Sequence, residues 1–421
     1  MKAKQLFTAL MLLALSTAAF SQDLKQYRKD VAKLSSRQFE GRGYYKQGMN
    51  RAGDYIASAW QKAGVQPVGE TYFQPFSYDV NVFQGDAEVK IDGRKLRIGD
   101  EWVMREFSPG CHGTYAIHYL DTLHFDGKKL MDDISKGVYD EKFIVVDLDF
   151  YRAHRAEMKG FTDGRQKGII CRWSTPLKFY KAYSDHVVKP TIVWVDPSFP
   201  TDAKEIEIHV DNEFLQDYEV KNVVGVIPGT RCPDSLYVVT AHYDHHGHLG
   251  RKQYYPGAND NASGAAMLMS LARYYSEHRP EYSVAFIAFA GEEAGLRGSM
   301  HFAEHPMLPL SKIKYLINLD MIGDNGKNLY VETNDVGERG LRLFEKINAH
   351  HHFFDGIDRG QLAANSDHYP FTEKGVPAIM LIFEEGDAFP FYHTYKDNIK
   401  TMRFDSYDKI FNFVTQFIDE Y

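Results

Sequence analysis

From Asn222 onward the chain alternates short apolar runs with amphipathic stretches. Tyr237-Val238-Val239-Thr240, Ser283–Ala290, Tyr315–Leu319 and Ala378–Phe383 are rich in β-branched, aliphatic and aromatic residues, and each reads as a buried strand. Ala265–Tyr275 between the first two reads as a helix. Such alternation predicts an α/β fold with a mixed, largely parallel central sheet and helices on both faces. Nearer the start, Leu24, Tyr27, Val31 and Leu34 recur at helical spacing, and a second helix is expected from Met49 to Ala63, stopping at Gly64. Residues 77–215 change character. Their β-like runs (Ala87–Ile91, Phe143–Asp147, Gly168–Cys171, Thr191–Val195) are broken by Gly, Pro and Asp turns. The expected organisation is one domain from residues 22–76 and 216–421, with an inserted, mostly-β domain over 77–215.

Charged residues arrive where the apolar runs stop. The first run leads into His242 and, two residues on, Asp244; side chains alternate along a strand, so both point the same way. Asp260 follows in the Gly-flanked turn Gly257-Ala258-Asn259-Asp260-Asn261-Ala262-Ser263-Gly264. The next runs lead into Glu292-Glu293, Asp320, and, after a short loop, Tyr392-His393. Open α/β sheets form sites outside the carboxyl ends of their strands. Alone, each residue has a bland reading as a turn, helix-start or strand-end group; five ligand types at strand ends in one half of the chain point to a cluster. Two imidazoles and three carboxylates suit two zinc ions, one acid bridging and one His plus one acid completing each. Such ions lie roughly 3.5–4 Å apart and share an activated hydroxide. The acid left over, Glu292 or Glu293, would be the general base. Amide hydrolysis fits this equipment, whereas a phosphoester would call for an Arg or Lys clamp that these segments lack.

A net charge of −8 over 421 residues provides no basic footprint for nucleic acid. Three cysteines (Cys111, Cys171, Cys232) make no disulfide scaffold, and without a CxxC pair no cysteine zinc site. Lys2, Lys4, the apolar stretch Phe7–Leu15 and Ala19-Phe20-Ser21 read as a signal peptide over residues 1–21. The apolar stretch is too short to span a bilayer, so an exported protein, periplasmic or extracellular and without stable membrane insertion, is expected.

The segments AHYDH, PGANDNASG, GEEAGLRGS, NLDMIGD and YHTYKDN, in this order, resemble the secreted zinc aminopeptidases with a co-catalytic metal pair, the aminopeptidase Y and aminopeptidase S type. The likeness covers about 220–400; Phe39-Glu40-Gly41-Arg42-Gly43 resembles their lead-in, and 77–215 resembles a protease-associated domain. The resemblance implies the zinc exopeptidase fold and two zinc ions. Asp260 would bridge them, His242 and Asp320 would complete one site, Glu293 and His393 the other. Glu292 would be the general base, Asp244 would orient His242, and Tyr392 would stabilise the oxyanion. Substrates would be peptides with a free N-terminus. A glutaminyl cyclase, a carboxypeptidase or a non-catalytic peptide-binding protein on the same scaffold are the alternatives. Among nearby groups, His245, His246 and His248 are expected to be solvated or to support the ligands, His350, His351 and His352 to lie on the surface, and Glu384, Glu385 and Asp387 to form a solvated loop. Ser366-Asp367-His368 is expected to line the substrate side, and Phe389-Pro390-Phe391 to shape the first side-chain pocket.

Overall fold

The computed structural model describes residues 23–162, 165–173, 176–179, 185–323, 326–383 and 389–421. The leader-like residues 1–21 and Glu384, Glu385 and Asp387 lie outside the described residues.

Four parallel strands form the middle of a nine-stranded sheet, in the order Tyr282–Phe289, Cys232–His242, Ile313–Asp320, Ala378–Ile382. Both faces of these strands are covered, which is why their sequences are almost continuously apolar. Alternation along Cys232–His242 sends Tyr237, Val239 and Ala241 to one face and Leu236 and Val238 to the other. The first face packs on helices Gly48–Ala63, Gly264–Glu277 and Tyr407–Glu420; the second packs on Phe302 and Phe371 of the short helices Arg297–Glu304 and Tyr369–Glu373. Antiparallel strands flank the parallel middle. Glu213–Ile227 pairs with Tyr282–Phe289, and Asn328–Thr333 pairs with Ala378–Ile382. The architecture is the mixed α/β sheet expected from the alternation of runs. The helices expected near the start occupy 23–34 and Gly48–Ala63, the latter closed by Gly64 at φ 86°.

A second, eight-stranded sheet gathers strands between Ala87 and Val210 around a core that includes Trp102, Phe143, Ile170 and Val193. Its central strands, Cys111–Tyr119, Phe143–Asp147, Gly168–Arg172 and Thr191–Val195, run parallel and carry the helices Gly127–Ser135, Leu148–Ala153 and Arg155–Thr162. Phe73–Val82 and Glu213–Ile227, paired antiparallel, lead into and out of this part. All three cysteines are free thiols. No helix among the described residues is long and apolar enough to cross a membrane.

Candidate metal centre

The carboxyl ends of the parallel strands deliver the acids and imidazoles to one place. His242 closes its strand, Asp320 closes the neighbouring one, and Glu292 and Glu293 follow Phe289 through a turn at Gly291. Gly291 has φ 71°, and a Cβ there would press on the ring of Tyr78. Asp260 comes from the loop ahead of helix Gly264–Glu277; Gly257 starts it at φ 57°, where a Cβ would lie 2.1 Å from the Asp260 carbonyl oxygen. His393 sits in the turn after Tyr392.

Asp260 is central. Its Oδ1 lies 3.4 Å from His242 Nε2, which in turn is 3.4 Å from Asp320 Oδ1. Its Oδ2 lies 3.1 Å from His393 Nε2, which is 3.4 Å from Glu293 Oε2. The edge of a tetrahedron of ligands about 2.0–2.1 Å from zinc is about 3.3–3.4 Å, so both donor sets have the spacing of a zinc ion's shell, with Asp260 common to both. Electrostatics points the same way. Asp244, Asp260, Glu293, Asp320 and Asp367 are buried, and the side chain of Glu292 is 11% exposed. So many carboxylates in low dielectric call for cations. Asp260 Oδ2 makes no protein hydrogen bond although it is buried, as a ligand oxygen would be.

The same crowding shifts the buried acids and imidazoles. Burial pushes Glu292 and Glu293 well above the usual carboxylate range; Asp320 and Asp367 add to this for Glu292, and Asp260 for Glu293. Burial alone would depress His242, but Glu292 and Asp320 hold it well above the usual imidazole range. Burial would likewise raise Asp260, yet His245, His242 and His393 hold it well below.

Supporting groups fix the candidate ligands. Asp244 accepts the backbone N–H of Glu292 (3.1 Å) and of Glu293 (3.3 Å), and its Oδ1 lies 3.7 Å from His242 Nδ1. One carboxylate thus sets the turn carrying both glutamates and faces the far side of the imidazole. Glu292 Oε2 is 3.9 Å from His242 Nε2. The ring of Tyr392 stacks on His393 at 3.6 Å between centroids, with Lys178 Nζ over it at 4.6 Å.

His245, His246 and His248 are all buried, so none is solvated. His245 Nδ1 is 2.7 Å from Glu293 Oε1, and burial pushes the imidazole well below its usual range. His246 Nε2 lies 3.3 Å from Glu293 Oε2, and His248 pairs with Glu40. Ser366 Oγ donates to Asp320 Oδ2 at 2.7 Å, which makes this residue a support for Asp320. His350, His351 and His352 are exposed.

Sequence reasoning passed over two residues. Asp397 accepts the backbone N–H groups of Asn259 and Asp260, and Arg42, fully buried, donates to the carbonyls of Leu34, Tyr243, Pro256, Gly257 and Asp260. Residues Arg37–Arg42 form a tight 3-10 turn with positive φ at Glu40, Gly41 and Arg42. That turn aims the guanidinium inward. Burial lowers its pKa to about 10, opposed first by Asp260, so it stays cationic. The motif YHTYKDN already contained Asp397, but nothing in the spacing said that its carboxylate would meet a loop more than a hundred residues away.

Two cavities open on the centre. One of about 490 Å³ is lined by His242, Asp260, Glu292, Asp320, Tyr392 and His393 together with a wall of the sheet edge. The other, about 990 Å³, runs from Glu292, Glu293, His246 and His393 to Arg105, Phe107, Trp173 and Trp194 of the second sheet. Phe389-Pro390-Phe391 lines neither.

The fold is shared with solved zinc aminopeptidases. The structure of BSAP, a zinc aminopeptidase from Bacillus subtilis, superposes with a TM-score of 0.70 at 22% identity, over 94% of this chain and 94% of that one. An aminopeptidase from Aneurinibacillus sp. strain AM-1 superposes with a TM-score of 0.65 at 20% identity, over 94% and 93%. Residues 222–418 match the model of peptidase family M28. Aminopeptidase YwaD of Bacillus subtilis (strain 168) is 34% identical over 194 residues, which is 43% of this chain and 40% of the relative. A probable zinc metalloprotease of Pyrenophora tritici-repentis is 31% identical over 183 residues, 43% of this chain and 39% of the relative. The aligned part therefore spans about two fifths of the length of these curated relatives.

Proposed function

We propose that this protein is a zinc-dependent aminopeptidase that removes N-terminal residues from peptides. The observation that carries this reading is the division of Asp260, one oxygen facing His242 and Asp320, the other facing His393 and Glu293, at zinc-ligand spacing. Two zinc ions would be held by those two sets. Bound there, zinc would polarise a peptide carbonyl and acidify a water at neutral pH. The remaining work falls to the chain. Glu292, facing the cavity beside His242, takes the water's proton and returns it to the departing amine. Asp244 and His245 hold the glutamate turn and Glu293, so the base keeps its distance from the ligands. The Tyr392 hydroxyl, on the cavity wall, donates to the carbonyl oxygen as charge develops on it. The acidic surround attracts a free α-amine, which accounts for exo-action. Residues 77–215, as an inserted unit walling the larger cavity, narrow access and favour short peptides. The leader-like residues 1–21 support export to the periplasm or beyond.

The test is release of residues from matched free-amine and N-acetylated peptides, with and without a zinc chelator. Release from the free-amine set only, abolished by chelator and restored by zinc, is expected. Cleavage of blocked peptides from the C-terminus, or cyclisation of N-terminal glutamine without hydrolysis, would overturn the reading.

A further inference from the structure

One wall of the 490 Å³ cavity is a patch of sheet. Tyr330 and Glu332 project from the strand Asn328–Thr333, and Met380 and Ile382 from its antiparallel partner Ala378–Ile382. The register pairs Tyr330 with Ile382 and Glu332 with Met380, so all four share one face. Three of them are apolar or amphipathic. The fourth is a carboxylate, 2% exposed.

Glu332 is held but not neutralised. Its Oε2 accepts the backbone N–H of Ala363 at 3.0 Å; its Oε1 accepts Asn365 Nδ2 at 2.8 Å and the Tyr330 hydroxyl at 3.4 Å. An ionised carboxylate has about four acceptor positions, so one remains for a further donor. Among the described residues its ion-pair neighbour is His368, with Nε2 at 3.7 Å, and burial pushes that imidazole down to about 4. No Lys or Arg lines the cavity among the described residues. In the reading proposed above, two zinc ions would balance Asp260, Glu292, Glu293 and Asp320, which leaves Glu332 as surplus negative charge. A buried anion without a counter-ion favours a cation that can reach it.

We propose that this cavity takes the side chain of the substrate's first residue and that Glu332 selects a basic one, lysine or arginine. The alkyl stem would lie along Met380, Ile382 and Met321, and the ammonium or guanidinium would donate to the open acceptor position of Glu332. This inference rests on the aminopeptidase reading.

The experiment compares kcat/KM of the zinc-loaded full chain on p-nitroanilides of lysine, arginine, norleucine, leucine and glutamate. Norleucine matches the lysine stem without its charge, so the wild-type protein alone decides, whatever the stability of a variant. Lysine should exceed norleucine by roughly ten- to a hundredfold, the range of a hydrogen bond to a charged group. Glu332→Gln should bring that ratio near one, mainly through KM for lysine, while leucine hydrolysis stays within about threefold of wild type. A wild-type ratio near one, with leucine cleaved well, overturns this inference and leaves the aminopeptidase reading standing. Persistence of the ratio in Glu332→Gln, or an equal loss on every substrate, also overturns it. Absence of turnover on the whole panel removes the aminopeptidase reading and this inference with it.

Discussion

The carboxylate of Asp397 accepts the backbone N–H of Asp260 at 3.0 Å on one oxygen and that of Asn259 at 2.8 Å on the other. The residue proposed to bridge two zinc ions is therefore oriented through its own main chain by a second buried acid. Replacing Asp397 with Asn puts an amide NH₂ against one of these N–H donors. Asp397→Asn should weaken zinc binding about as much as Asp397→Ala, by about 10–100-fold, the range for groups that orient metal ligands. Competition with a chromophoric chelator measures this; wild-type affinity in either variant would sink the assignment.

Glu292 should be separable from metal binding. Glu292→Gln keeps the side chain's shape and removes its ability to take a proton. Zinc content per chain should stay at the wild-type value, while kcat falls about a hundred- to ten-thousandfold, the usual contribution of a general base. Undiminished turnover would move the role elsewhere, with Glu293 the next acid to examine.

Arg42 is expected to matter for stability before chemistry. Its guanidinium satisfies five buried carbonyls, and a lysine ammonium has three donors at most. At least two carbonyls would lose their partner in Arg42→Lys, at roughly 1–3 kcal/mol each, so a loss of roughly 2–6 kcal/mol is expected. Urea denaturation of the zinc-loaded protein reads it directly; a change under about 0.5 kcal/mol, typical of surface substitutions, would contradict the role.

Metal removal should make stability fall as pH rises. Burial raises Asp367 to about 7 and Asp397 to about 8, above their ordinary value of 3.8. The folded chain then binds more protons than the unfolded one between these limits. Their contribution to stability is fully present below about pH 4 and is lost as pH climbs through 7 and 8, with a slope of roughly 1.4 kcal/mol per pH unit for each group. Glu292 and Glu293, also raised, act in the same direction. Chelated protein should unfold at lower urea at pH 8 than at pH 5, and zinc should flatten this dependence. A midpoint that rises with pH in the chelated protein would contradict it.

Much of the fold could be read from local pattern. The four parallel strands and the helices Gly48–Ala63 and Gly264–Glu277 appear where runs of apolar residues and helical spacing placed them, because both signals act over a few residues. His242, Asp260, Glu292, Glu293, Asp320 and His393 were legible as a group because each ends an apolar run or sits in a Gly-marked turn. The nearby histidines were legible only as solvated or supporting groups. A polar loop after a strand leaves both readings open; His245 and His246 face Glu293, and His248 pairs with Glu40, which comes from a turn near the start of the chain.

By itself the sequence determined the candidate ligand types, the strands that carry them and the α/β class, since residue identity and short-range periodicity suffice for these. Only the tertiary structure decided which oxygen of Asp260 faces which imidazole, that Asp244 spans His242 and the glutamate turn, and that Glu332 on an antiparallel strand beside the parallel middle arrives in the cavity. Those relations follow from strand order and register across dozens to hundreds of residues. Burial then gives them their energy: a carboxylate that would be an ordinary surface charge in water becomes, beside others in low dielectric, a group that must find a cation or a proton.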